Sequence, residues 1–133
     1  MIYGIGTDLI EIERIAQAQA RFGGRFVQRI LGPQELQRFA ARTQRSPQRG
    51  LAYLATRFAA KEAISKALGL GMRPPMTWRA VEIVNAPSGR PVAFAHGELA
   101  RFLQVRRLRL HVSVSDERTV AMAYAVAEVA DQE

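Results

Sequence analysis

The chain has no cysteine. That excludes disulfides, thiolate metal sites and cysteine nucleophiles together. It also lacks any apolar run near the roughly 18 residues needed to cross a bilayer. Its first residues show neither the basic n-region nor the apolar h-region of a secretory signal. A cytoplasmic protein with no membrane partner is the expectation. Acidic residues are in the minority, with twelve Asp+Glu against nineteen Lys+Arg and a net charge of +7. Arginine dominates the basic set. A surplus of this sign suits nucleic acid, phosphorylated small molecules or an acidic partner protein, and composition does not choose among them. What is present is ordinary: 133 residues, 48% of them hydrophobic, enough for one packed core and one domain spanning residues 1–133.

Ile2 to Leu9 reads as a strand with Tyr3, Ile5, Thr7 and Leu9 on one face, and Ile2, Gly4, Gly6 and Asp8 on the other. Glycine in a strand marks close approach by another backbone or by a ligand. Clearance for a ligand beside Asp8 and close packing of a neighbouring segment both remain open. A helix over Ile10 to Ala20 follows, and Arg14, Arg21, Arg25 and Arg29 decorate a surface. Pro33 opens a short helix carrying Leu36 and Phe39, and Arg42 to Arg45 form a polar link. Ser46-Pro47 is an N-cap and first helical residue for the longest helix, which runs to about Leu68 and ends at Gly69. Beyond it come strands over Thr77 to Val84 and Pro91 to Ala95, and a helix over Gly97 to Val105. A hairpin of Leu108 to Ser115 with Thr119 to Val129 closes the chain. The class is α+β, an antiparallel sheet packed on a long central helix.

That helix holds the second informative residue. At 100° per residue, Glu62 falls in the same sector as Leu51, Ala55 and Phe58. A carboxylate in an apolar sector needs a partner. Lys66, four residues on, is the local answer. Asp8, another acid in an apolar element, offers a different one: two carboxylates suit a hard cation such as Mg2+, which fills its other positions with water and substrate phosphate. Phosphoryl transfer follows from that chemistry. His111 shares the polar face of its strand with Ser113 and Ser115, and either meets phosphate or is simply solvated.

Two of these stretches, "GIGTDLIEIERI" and "RFAAKEAISKALG", resemble the signature blocks of the holo-acyl-carrier-protein synthases. These form the short, single-domain branch of the 4′-phosphopantetheinyl transferases. "SGRP" and "HVSVSDERTVAMAYAV" are similar to that family's basic turn and C-terminal hairpin, although many relatives carry histidine at the position of Asp116. The resemblance implies transfer of the phosphopantetheine arm of coenzyme A to a serine of apo-acyl carrier protein, leaving adenosine 3′,5′-bisphosphate. It implies Asp8 and Glu62 as Mg2+ ligands and Lys66 near the transferred phosphate, with Glu62 or a metal-bound water as base. Arg57, Lys61, Arg90 and His111 are its implied coenzyme contacts. A homotrimer with sites between subunits is also implied. The acidic carrier would meet Arg14, Arg21, Arg25 and Arg29. Two rivals use the same residues differently. A nucleic-acid module explains the charge but not the two acids, and a Mg2+-dependent nuclease needs more clustered carboxylates than the sequence offers.

Overall fold

The computed structural model describes residues 1–131. Ten elements follow in order. Strand β1 (Ile2–Glu11) leads into helices α1 (Ile12–Phe22), α2 (Gly24–Ile30), α3 (Pro33–Arg45) and α4 (Pro47–Leu68). Strands β2 (Val81–Asn85) and β3 (Pro91–Ala95), helix α5 (Gly97–Arg106), and strands β4 (Leu108–Asp116) and β5 (Val120–Val129) complete the chain. The α+β class is as expected, but the strands form two sheets, a three-stranded β1-β5-β4 and a two-stranded β2-β3, both antiparallel.

Local chemistry sets most boundaries. Ser46 caps α4 by accepting a hydrogen bond from the Arg49 amide, Pro47 takes the first helical position, and Gly69 ends the helix in the left-handed conformation at φ 74°. Strand β1 runs two residues beyond the expected end, because pairing with β5 continues to Glu11–Val120 and the Ile12 amide still donates to Thr119. Helix α1 therefore starts at Ile12 rather than Ile10. The polar link expected at Arg42 to Arg45 is instead the last turn of α3. Arginine is a good helix former, and that propensity outweighs the polarity that suggested a loop. Of the strand expected from Thr77, residues Trp78–Ala80 form a 3-10 turn and only Val81 onward pairs.

Helix α4 is the axis of the molecule, lying across the inner face of the three-stranded sheet. That face is cut down to small side chains: Gly4 and Gly6 on β1, and Ala121, Ala123, Ala125 and Ala127, all 0% exposed, on β5. A Cβ at Gly4 would fall on the carbonyl oxygen of Ala67, and one at Gly6 on that of Ala63. The glycines therefore serve the approach of the α4 backbone rather than clearance for a ligand. The opposite face of the sheet is open and carries exposed Tyr3, Ile5, Leu9, Met122 and Tyr124.

Candidate active site

Asp8 follows Gly6 by two residues on the inner face of β1, and so points at α4 like the glycines before it. There it meets Lys66, whose ammonium donates to the Thr7 carbonyl at 2.8 Å and to Asp8 Oδ1 at 3.4 Å. Glu62, one turn earlier on α4, is half-buried beside them. Its pKa lies above the ordinary carboxylate range, first because burial disfavours its charge and second because Asp8 stands near; Lys66 opposes both. The local Glu62–Lys66 pair is not the ion pair that forms: Lys66 reaches across to β1 and pairs with Asp8. Helix and strand thus bring Asp8, Glu62 and Lys66 together at the free edge of β1.

Two carboxylates with oxygen donors, electrostatically coupled and carrying one more negative charge than Lys66 neutralises, fit a hard cation. No group of three or more His, Cys, Asp or Glu capable of holding a metal occurs among the described residues. A cation bound here would keep open positions for water and phosphate.

Lys61 corrects an expectation. It precedes Glu62 by one residue and so leaves α4 about 100° away, into the core. It is 0% exposed and donates to the Ile30 carbonyl at 2.5 Å and to Glu35 Oε1 at 2.6 Å. A side chain so buried and committed does not reach a coenzyme. Burial pulls its pKa below the usual lysine range, and the charge of Glu35 works against that pull. Glu35 also accepts from the Gly32 and Ile83 amides, at 3.0 and 2.8 Å. Glu82, equally buried, accepts from the amides of Gln34 and Glu35 at the start of α3 and faces His96 Nε2 at 2.9 Å. Sequence reasoning missed this network. Its one signal was the spacing of Tyr53, Arg57, Lys61 and Ser65, every fourth residue on a single face of α4, all of them buried.

Arg57 shares that inward face. Its Nε donates to the Ile83 carbonyl at 3.2 Å, and its two terminal nitrogens to Thr56 Oγ1 and Asn85 Oδ1 at 3.1 and 2.9 Å. It still lines a cavity of about 510 Å3 together with Arg42, Arg49, Asn85 and Gly89. Five residues separate it from Glu62, about 140° around the helix, so the two face different sides. Arg90 and His111 meet in a second cavity of about 400 Å3, with Arg109 beside them. His111 Nε2 lies 2.9 Å from Glu128 Oε1. Pro91 borders both cavities, so the expected coenzyme contacts other than Lys61 flank one turn, and neither cavity includes Asp8 or Glu62.

Arg14, Arg21, Arg25 and Arg29 are all exposed on α1 and α2, and none takes part in an ion pair among the described residues. Arg25 and Arg29 rim an aromatic pocket of about 410 Å3 lined by Phe22, Phe26, Ile30, Phe58 and Trp78. Phe58 stacks on Trp78 with centroids 4.7 Å apart. Phe58 also sits one turn before Glu62 on α4, which joins the pocket to the acid pair. The pocket was not visible in sequence, since Phe22, Phe58 and Trp78 come from separate elements.

The chain as a whole aligns closely with known proteins. Residues 4–125 match the family model of the 4′-phosphopantetheinyl transferase superfamily. The holo-[acyl-carrier-protein] synthase of Cupriavidus taiwanensis is 61% identical over 128 residues, covering 96% of this chain and 91% of the relative. That of Ralstonia nicotianae is 59% identical over 128 residues, covering 96% and 93%. Among solved structures, the holo-[acyl-carrier-protein] synthase of Neisseria meningitidis superposes with a TM-score of 0.88 at 40% identity, covering 96% of this chain and 99% of that one. The enzyme of Bacillus anthracis, solved in complex with CoA (3′,5′-ADP), gives 0.81 at 31% identity, covering 98% and 99%. With a family model spanning nearly the whole chain and relatives this similar over more than nine-tenths of their length, the chain belongs to the 4′-phosphopantetheinyl transferase superfamily.

Proposed function

We propose that this chain is a Mg2+-dependent holo-acyl-carrier-protein synthase. It moves the 4′-phosphopantetheine group from coenzyme A to a serine of apo-acyl carrier protein and releases adenosine 3′,5′-bisphosphate. The observation that carries the reading is the meeting of Asp8, Glu62 and Lys66 at the edge of β1, in a chain of this family. Asp8 and Glu62 would hold the Mg2+, which when bound supplies positive charge against the pyrophosphate oxygens. Lys66, a mobile point charge already at Asp8, adds to that field where the leaving phosphate gains charge. Glu62, or a water held by the bound cation beside it, is placed to take up the serine proton.

The remaining groups divide between binding tasks. Arg57, Arg90 and His111 flank the turn that ends at Pro91, and the two guanidinium charges with an imidazole beside them suit the phosphates of coenzyme A. They lie away from Asp8 on the same chain, so a neighbouring copy would complete the site. The open apolar face of the three-stranded sheet supports that assembly, a homotrimer, because exposed Ile5, Leu9, Met122 and Tyr124 gain from being covered. The unpaired arginines of α1 and α2 suit an acidic carrier. Residues 1–133 act as one domain, in the cytoplasm, in supply of carriers for fatty acid and lipid biosynthesis. No helix is long and apolar enough to cross a membrane among the described residues.

Incubation with coenzyme A, Mg2+ and apo-carrier, followed by mass spectrometry of the carrier, tests the function. A gain equal to one phosphopantetheine group is expected. An unmodified carrier, or nucleic-acid cleavage instead, refutes it.

A further inference from the structure

Lys61 is the largest fully buried side chain among the described residues, and the chemistry above does not use it. Of its two hydrogen bonds, one falls on the carbonyl of Ile30, the last residue of α2. Carbonyls at a helix end have no partner within the helix and welcome a cation. The other bond goes to Glu35 in the first turn of α3, and Glu35 in turn holds the amides of Gly32 and Ile83. One side chain from α4 therefore ties down the end of α2, the start of α3 and the middle of β2. Such a buried pair is weak evidence of stability, because packed apolar residues of similar volume often serve as well. Apolar residues do not fix where the end of a helix points, and that is what the Lys61–Ile30 bond does.

Helix α2 supplies Arg25, Phe26, Arg29 and Ile30 to the aromatic pocket, and α4 supplies Phe58. We infer that Lys61 is a positioning residue for carrier binding: by holding α2 against α4 it sets the spacing of the two walls of the aromatic pocket, whose rim carries Arg25 and Arg29. The inference rests on the reading of the α1 and α2 arginines as the carrier's contacts, and extends it to the pocket that Arg25 and Arg29 rim. Arg79 gives α2 a second hold by donating to the Leu31 carbonyl at 3.1 Å, so loss of Lys61 loosens the helix without releasing it.

Steady-state kinetics of the full chain with coenzyme A, Mg2+ and apo-carrier test this. Lys61→Met is expected to raise KM for the carrier by roughly five- to tenfold, about 1 to 1.4 kcal/mol and less than a whole charge-assisted hydrogen bond, because Arg79 still holds the end of α2. KM for coenzyme A and kcat should stay within about twofold of the unmodified chain. A merely structural lysine would instead lower the active fraction and leave both KM values alone, and that result overturns the inference. Arg25→Ala/Arg29→Ala serves as the control on the docking reading. If it leaves carrier KM unchanged, the pocket is not the docking site. If it raises carrier KM while Lys61→Met does not, only the role of Lys61 falls. Should Lys61→Met fail to fold, hydrogen exchange of the unmodified protein with and without apo-carrier decides. Protection gained on α2 must extend to the amides of Gly32 and Ile83, and protection confined to α1 and α2 refutes the coupling.

Discussion

Replacing Gly6 with alanine puts the packing of β1 on α4 to a direct test. The new Cβ would land on the carbonyl oxygen of Ala63 and lie 2.9 Å from both the Ala67 nitrogen and the Lys66 Cβ. Comfortable carbon contacts need about 3.5–4.0 Å, so strand and helix must part by on the order of 1 Å. The obstacle is helix backbone, which does not rotate away like a side chain. Overpacking of this kind costs about 3 kcal/mol, at the upper end of the usual range, while alanine recovers somewhat under 1 kcal/mol of glycine's entropy in a strand. The net loss of about 2 kcal/mol corresponds to a fall in Tm of roughly 6–12 °C for a chain of this size. Asp8 lies two residues further along the same strand face, so the separation also draws it away from Glu62. A displacement of about 1 Å at reacting groups can cost up to 100-fold in rate. Calorimetric melting and carrier modification read the two effects separately. Gly4→Ala, which meets Ala67 in the same way but stands further from Asp8, should lose similar stability and less activity. A Gly6→Ala protein melting within about 2 °C of the unmodified chain, with unchanged turnover, refutes the reasoning.

Other outcomes follow from the same geometry. Asp8→Ala should abolish transfer and also remove Mn2+ binding measured by electron paramagnetic resonance in the absence of coenzyme. Chelation by EDTA should stop transfer, and added Mg2+ should restore it. Glu62→Gln should abolish transfer yet raise Tm at neutral pH when melting is measured in EDTA, with no divalent cation bound. The folded protein raises the Glu62 pKa, so the ionised side chain opposes folding above its unfolded pKa. That advantage should vanish as pH falls through the raised pKa, where Glu62 becomes neutral like glutamine. Arg14→Glu/Arg21→Glu should raise KM for the carrier, leave KM for coenzyme A unchanged, and flatten the salt dependence of the carrier reaction.

Much of this fold could be read from short-range chemistry. Ser46-Pro47 and Gly69 bracket α4, and the alternation from Leu108 to Val114 gives the inner face of β4. Asp8 and Glu62 stood out because each is an acid in an apolar element, a property of the local pattern alone. The failures concern direction and distance. Winding α4 gives the face on which Lys61 lies but not what waits there, because Glu35 and Ile30 arrive from α3 and α2. Lys66 prefers Asp8, 58 residues away, to the carboxylate one turn back on its own helix. The glycines of β1 left two occupants possible, and only the tertiary fold shows that α4 fills the space. Polarity misled at Arg42 to Arg45, where helix propensity held.

The paired glycines and alanines also behave as a measuring scale. Gly4 meets Ala67 and Gly6 meets Ala63, two strand residues for every four helix residues. The corresponding lengths, about 6.6 Å along a strand and about 6 Å along a helix, nearly coincide. Two lattices of different origin thus share a common division. A slip of one division in one direction would bring Asp8 into the slot of Gly6, and in the other would bring Ile2 into the slot of Gly4. Neither slot admits a Cβ. The strand therefore has a single permitted address on the helix, written in the absence of side chains, and that address delivers the carboxylate of Asp8 to Glu62 each time the chain folds.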